Sequence, residues 1–170
     1  LLAAEGADVN ATNKSGYTAL HLAVRKGKQH AAVLLLEKGA NVNGQRKGRT
    51  PLDFAGKNTE LAALLRAKGG LTRLELRAEQ DILYAAAKGY AEAILRYIEK
   101  GGDVNKTNRK GYSALHIAAN SGYVEVVRVL LANKIEVDAA ANRYKKTGLH
   151  YAARHGRKEI ATLLLDKGAN

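Results

Sequence analysis

Gly111-Tyr-Ser-Ala-Leu-His-Ile-Ala118 decides the fold, because the chain carries this stretch more than once. Gly16-Tyr-Thr-Ala-Leu-His-Leu-Ala23 and Gly48-Arg-Thr-Pro-Leu-Asp-Phe-Ala55 follow the same pattern, and Lys146-Thr-Gly-Leu-His-Tyr-Ala152 echoes it more weakly. Self-similarity at a period of roughly 20 to 50 residues marks a repeat architecture. Each copy is expected to open a helix. Downstream lie Ala32-Val-Leu-Leu-Leu-Glu-Lys-Gly-Ala-Asn-Val-Asn43, Ile94-Leu-Arg-Tyr-Ile-Glu-Lys-Gly-Gly-Asp-Val-Asn105 and Ala161-Thr-Leu-Leu-Leu-Asp-Lys-Gly-Ala-Asn170. These runs read as a second helix and its stop. Gly39, Gly101 and Gly168 follow apolar helical stretches, where a residue free to take positive φ ends the helix and satisfies its last carbonyls. The unit is helix, turn, helix, loop.

These residues resemble the ankyrin repeat, whose period of about 33 residues carries Thr-Pro-Leu-His-x-Ala in its first helix. The equivalent position falls at His21, Asp53, Leu83, His116 and His150, at spacings of 32, 30, 33 and 34 residues. The resemblance covers nearly the whole chain. It implies an all-α solenoid of stacked helix-turn-helix units, with β-hairpin-like finger loops between neighbours and a concave groove lined by fingers and inner helices. The expected organisation is a single array over residues 1–170: a partial repeat at 1–12, then repeats at 13–45, 46–70, 71–107, 108–140 and 141–170. Both end repeats are incomplete, which suggests a piece of a longer protein. Ala55-Gly-Lys-Asn-Thr-Glu60 leaves one first helix short, with Gly56 weakening it further. Leu71-Thr-Arg-Leu-Glu-Leu-Arg-Ala-Glu-Gln80 lacks the finger signature, so the finger of the 71–107 repeat should be degenerate and its inner helix should begin early, near Leu74. Phase kept across this stretch favours one stack over two arrays joined by a linker.

A chain of 170 residues allows one ordinary domain or one elongated array. With 46% hydrophobic and 26% charged residues and a single Pro, it has the composition of a folded chain rather than a disordered one. The absence of Cys excludes disulfides, Cys-ligated metals and thiol chemistry. The longest aliphatic run, Ala31 to Leu36, is far below the roughly 18 residues of a membrane span, and the start resembles no signal peptide. A net charge of +12 favours acidic partners, anionic lipid or nucleic acid.

Stability in such an array comes largely from interfaces between neighbouring units. In Val126-Val-Arg-Val-Leu-Leu131 the residues three and four apart form an apolar stripe, leaving Glu125 and Arg128 wet, and Leu34-Leu35 and Leu163-Leu164 should behave alike. Ala23, Ala55, Ala86, Ala118 and Ala152 recur where helices approach closely. His21, His116 and His150 are poor metal ligands, because equivalent residues on stacked helices lie about 10 Å apart whereas a zinc bond spans about 2 Å. The resemblance gives them a structural role between repeats, and His30 and His155 read as surface residues. Gly44-Gln-Arg-Lys-Gly-Arg-Thr50 departs from a phosphate-binding loop in length and in its essential Lys, and reads as a finger. Ser15, Ser113 and Ser121 belong to no nucleophile elbow. Asn10, Asn43 and Asn105 occupy turns in which Asn bonds backbone readily. No catalytic residue, metal site or cofactor is expected.

Basic residues carry the functional lead. Arg46, Lys47 and Arg49, then Lys106, Arg109 and Lys110, then Arg143, Lys145 and Lys146 fall at finger tips, and Arg25, Lys26, Lys88 and Arg154 at inner-helix ends. Tyr17, Tyr112 and Tyr144 sit among them, and aromatic area beside long cations is a composition enriched at binding hot spots. The candidate partner-binding set is these tyrosines with Lys14, Arg25, Lys26, Arg46, Lys47, Arg49, Lys88, Arg109, Lys110, Arg143, Lys146 and Arg154. The bland alternative is a charged, solvated face. The reading is a non-catalytic protein-interaction module for an acidic surface or peptide, monomeric and cytoplasmic, with the nucleus or a host-cell cytosol as alternatives. Two other readings are polyanion or nucleic-acid binding by the same edge, and a docking arm of a larger enzyme, channel or secreted effector. Placement on finger tips rather than a recognition helix weighs against nucleic acid.

Overall fold

A computed structural model describes residues 8–170, so most of the partial repeat expected at 1–12 lies outside the described residues. The chain divides into two compact units, Leu1–Leu76 and Arg77–Asn170. The first holds α1 (Ala19–Arg25), α2 (Gln29–Glu37), a 3-10 turn at Pro51–Phe54 and α3 (Thr59–Ala67); α4 (Arg73–Ala78) spans the division. The second holds α5 (Ile82–Lys88), α6 (Ala91–Glu99), α7 (Ala114–Ser121), α8 (Val124–Ala132), α9 (Gly148–Arg154) and α10 (Lys158–Asp166). The all-α class and the paired-helix unit are as the sequence pattern requires.

The recurring Thr/Ser-x-x-His explains where the first helices begin. Thr18, Ser113 and Thr147 are N-caps in capping boxes with His21, His116 and His150, so the hydroxyl takes a free helix N–H and the imidazole takes the cap's own N–H. Thr50 and Asp53 form the same box at the Pro51–Phe54 turn. That first helix is indeed stubby, a single 3-10 turn before Gly56. Second helices stop at Gly39, Gly101 and Gly168, whose φ values of 84°, 82° and 84° are strained for any residue with a Cβ.

Burial follows the stripes. In the first unit Leu20, Leu61 and Leu65 are fully buried, with Ala23 and Ala55 where backbones meet. The second packs Ile82, Ile94, Leu115, Leu130, Ile160 and Leu164 around Ala86, Ala118 and Ala152. Val126, Val127 and Leu130 face inward while Glu125 and Arg128 stay exposed. The Leu34-Leu35 pair splits: Leu35 is buried but Leu34 is 42% exposed.

Fingers are single antiparallel bridges, Thr12 to Thr18, Arg46 to Arg49, Thr107 to Ser113 and Ala141 to Lys146. Around residues 71–80 a helix stands where a finger would. Here one expectation needs correction: no single inner helix starts near Leu74. Thr72 and Glu75 make a capping box that starts α4, with Thr72 N–H and Oγ1 both donating to Glu75 Oε2 at 2.8 Å. A break at Glu79–Gln80 then separates α4 from α5. Glu79 is buried against Arg96 and Lys100, its Oε2 lying 2.8 Å from Lys100 Nζ, and Asp81 caps a new helix by accepting the N–H groups of Leu83 and Tyr84.

Candidate functional site

Each unit builds its finger surface on an aromatic triplet. In the first unit Tyr17, His21 and Phe54 meet edge to face, with ring centroids 5.7 to 6.1 Å apart. In the second the corresponding residues are Tyr112, His116 and Tyr151, at 5.8 to 6.0 Å. The histidines hold the frame. Thr18 N–H and Ser113 N–H donate to Nδ1 of His21 and His116, so each ring is neutral with its proton on Nε2. That Nε2–H then donates to the carbonyl of Arg49 or Lys146 in the following finger, at 3.3 and 3.1 Å. Burial pushes both imidazoles below the ordinary histidine range, and the Arg46 charge adds to this at His21. His150 makes only the local half of this arrangement, bonding Thr147, and is exposed.

The candidate arginines of the first unit are engaged within it. Arg46 lies 4.0 Å and Arg25 4.6 Å from the Tyr17 ring centre, and Arg46 Nε also donates to the Ser15 carbonyl. Arg49 covers Phe54 at 4.2 Å and donates to the Asp53 carbonyl. These candidate residues close over their own aromatic rings instead of lining an opening.

The second unit is different. Between the 107–113 finger, the 141–146 finger and α9 lies an open concavity of about 920 Å³, and it gathers Arg109, Lys110, Tyr112, Arg143, Tyr144, Lys146 and Arg154 from the candidate set. No Asp or Glu lines it. None of its cations takes part in an ion pair among the described residues. Arg143 stacks 4.7 Å from the Tyr144 ring, which is 64% exposed. Lys14, Lys26, Lys47 and Lys88 are exposed and lie outside this concavity.

Two residues that the sequence reading passed over form its floor. Asn142, at φ 58°, accepts the Tyr144 N–H on its side-chain oxygen, which turns its amide nitrogen toward Tyr112 Oη at 3.1 Å and Tyr151 Oη at 2.9 Å. Its backbone N–H donates to the Lys110 carbonyl. Both residues left a signal. Asn13 and Asn108 begin the other tyrosine-bearing fingers in the same way, and Tyr151 replaces the Leu22 or Ile117 of the parent motif.

This arrangement is a cationic concavity built on a repeat scaffold. The chain matches the family model for ankyrin repeats (3 copies) over residues 1–72 and 82–170, and it belongs to that family. Among its relatives, Rabankyrin-5 of Mus musculus is 34% identical over 166 residues, 92% of this chain and 14% of the relative. Neurogenic locus notch homolog protein 1 of Xenopus laevis is 36% identical over 148 residues, 84% of this chain and 6% of that protein. Protein glp-1 of Caenorhabditis elegans is 32% identical over 175 residues, 97% of this chain and 12% of that protein. The chain therefore spans only a small part of these relatives. Ankyrin repeats are in general protein-protein interaction modules, and the family is typically non-catalytic. Among the described residues no helix is long and apolar enough to cross a membrane.

Proposed function

We propose that this chain is a protein-interaction module that takes an acidic partner segment on the finger surface of its second unit, with both units acting as parts of one repeat array. The observation that carries this is the concavity at residues 109–154, which has five cations in its lining and no carboxylate. A rigid backbone presents these side chains at fixed spacing, so little ordering entropy is lost on docking. Unpaired cations around an open cleft steer an acidic partner and raise its association rate. Tyr144 supplies exposed aromatic area beside them, the pairing typical of binding hot spots.

The test is a pull-down at physiological and high salt with the native chain and with Arg109, Lys110 and Arg143 changed together to Glu. A discrete acidic protein lost only with the charge-reversed chain supports the reading. Nucleic acid alone, or the same proteins with both chains, refutes it. The variant should melt as the native chain does, since all three residues are exposed.

A further inference from the structure

We infer that the Tyr112–Asn142–Tyr151 floor, with Lys110, Lys146 and Arg154 on its walls, seats a phosphate monoester carried by a phosphorylated residue of an acidic partner peptide. This rests on the reading of the concavity as the partner surface, and it adds what distinguishes one acidic peptide from another.

The hydroxyl network has a direction. Asn142 donates to both phenolic oxygens, and Tyr151 donates its own proton to Tyr112 Oη at 3.0 Å. Tyr112 therefore accepts twice while its own O–H stays free to donate. Those bonds lower the Tyr112 phenol below its ordinary range, with Lys110 and Lys146 contributing, whereas burial and its own donation raise Tyr151. A polarised donor held in place by a rigid amide is suited to an anion.

Charge decides which anion. Five lining cations face no lining carboxylate. A lone Glu or Asp side chain brings about one negative charge, whereas a phosphorylated residue brings about 1.5 to 2 charges and three strong acceptor oxygens. Three acceptors suit a hydroxyl, a lysine and an arginine at once, and clusters of basic side chains are a recurrent means of recognising phosphorylated and acidic motifs. The volume of about 920 Å³ leaves room for flanking residues of a peptide as well.

The first unit shows what the site requires by lacking it. Phe54 stands where Tyr151 does, so Tyr17 receives no phenolic proton there, and Arg25 and Arg46 cover its ring. The same fold thus carries one closed and one open version of the aromatic triplet.

The experiment uses the 170-residue chain and three degenerate peptide libraries with acidic flanks, whose fixed centre is a pool of phosphoserine, phosphothreonine and phosphotyrosine, or Glu, or Ser. Binding is followed by retention on the immobilised chain and by fluorescence anisotropy. Retention of the phosphorylated library about tenfold above the Glu library, falling to parity with Tyr112→Phe, is the expected result and the size of one charge-assisted hydrogen bond. Lys146→Gln provides a second variant should Tyr112→Phe melt early. Equal retention of phosphorylated and Glu libraries, both above Ser, overturns the phosphate seat while leaving the acidic-partner reading intact. No retention of any library overturns both. A phosphate preference that survives Tyr112→Phe and Lys146→Gln also overturns the seat.

Discussion

Stability should fall as pH drops through the histidine range, and His21 and His116 should be the cause. Both are buried, neutral and bonded at each ring nitrogen, with Nδ1 accepting and Nε2 donating. Protonating Nδ1 would set a new N–H against the backbone N–H of Thr18 or Ser113. No carboxylate offsets it: besides the cap residue, the groups bonded are backbone of Arg49 and Gly44 at His21 and of Lys146 and Ala139 at His116, burial outweighs them, Arg46 adds repulsion at His21, and the rings packed alongside are Tyr17 and Phe54 on His21 and Tyr112 and Tyr151 on His116. The folded pKa of each lies below its unfolded value near 6.5, so the unfolded chain binds more protons on the acid side. Stability is complete above about pH 6.5 and is lost as pH falls toward the folded values. A ring that stays neutral in the native state costs up to about 1.4 kcal/mol on going from pH 7.5 to 5.5, and the pair about 2.7 kcal/mol. Guanidinium unfolding at those two pH values, above most of the carboxylate range, measures this. The His21→Gln, His116→Gln double variant should be less stable at pH 7.5 but should lose most of the pH dependence. His30, His150 and His155 are present in both proteins and cancel in the comparison. An undiminished pH dependence in the double variant would refute the assignment.

Leu130→Ala should cost about 2 to 5 kcal/mol, because a fully buried leucine leaves a cavity in the second unit; a melt unchanged from wild type would contradict the packing. Asp53→His should cost about 1 to 3 kcal/mol by leaving the Arg73 N–H without its acceptor, since an imidazole Nδ1 can still take the Thr50 N–H, and amide exchange at Arg73 should speed up. Lys145→Gly should stabilise the second unit by about 0.5 to 1 kcal/mol, since Lys145 holds φ at 50° and left-handed backbone costs more than the extra chain freedom of glycine. A lower midpoint for that variant would show that the lysine side chain contributes more than its backbone strain removes.

The repeat phase was legible because each helix start is written locally: a hydroxyl cap, an imidazole three residues on, and a glycine at the stop. The stub at Pro51–Phe54 was legible for the same reason. The break after α4 was legible only in its local half, the Asp81 cap of α5, because Glu79 meets Arg96 and Lys100 seventeen and twenty-one residues later. The start of α4, however, was written in Thr72-x-x-Glu75, a capping box hidden in a stretch read only for its missing finger. Seven of the candidate cations and tyrosines were brought to one concavity, whereas Arg25, Arg46 and Arg49 turned onto their own aromatic rings. Residue type alone does not separate those outcomes.

The same logic explains why the histidine position holds an aspartate once. His21 and His116 each aim an N–H at the next finger, and what that finger presents is a carbonyl, of Arg49 and of Lys146. After Asp53 no finger follows; α4 begins instead, and the first turn of a helix presents free N–H groups. An imidazole fixed in the Nε2–H form would meet donor with donor. Asp53 Oδ2 accepts the Arg73 N–H at 2.9 Å while still accepting from Thr50, so one carboxylate closes its own capping box and caps the start of the next helix. Asp53 and the lost finger are thus one feature: the side chain at this position must match the polarity of the backbone that the following segment offers.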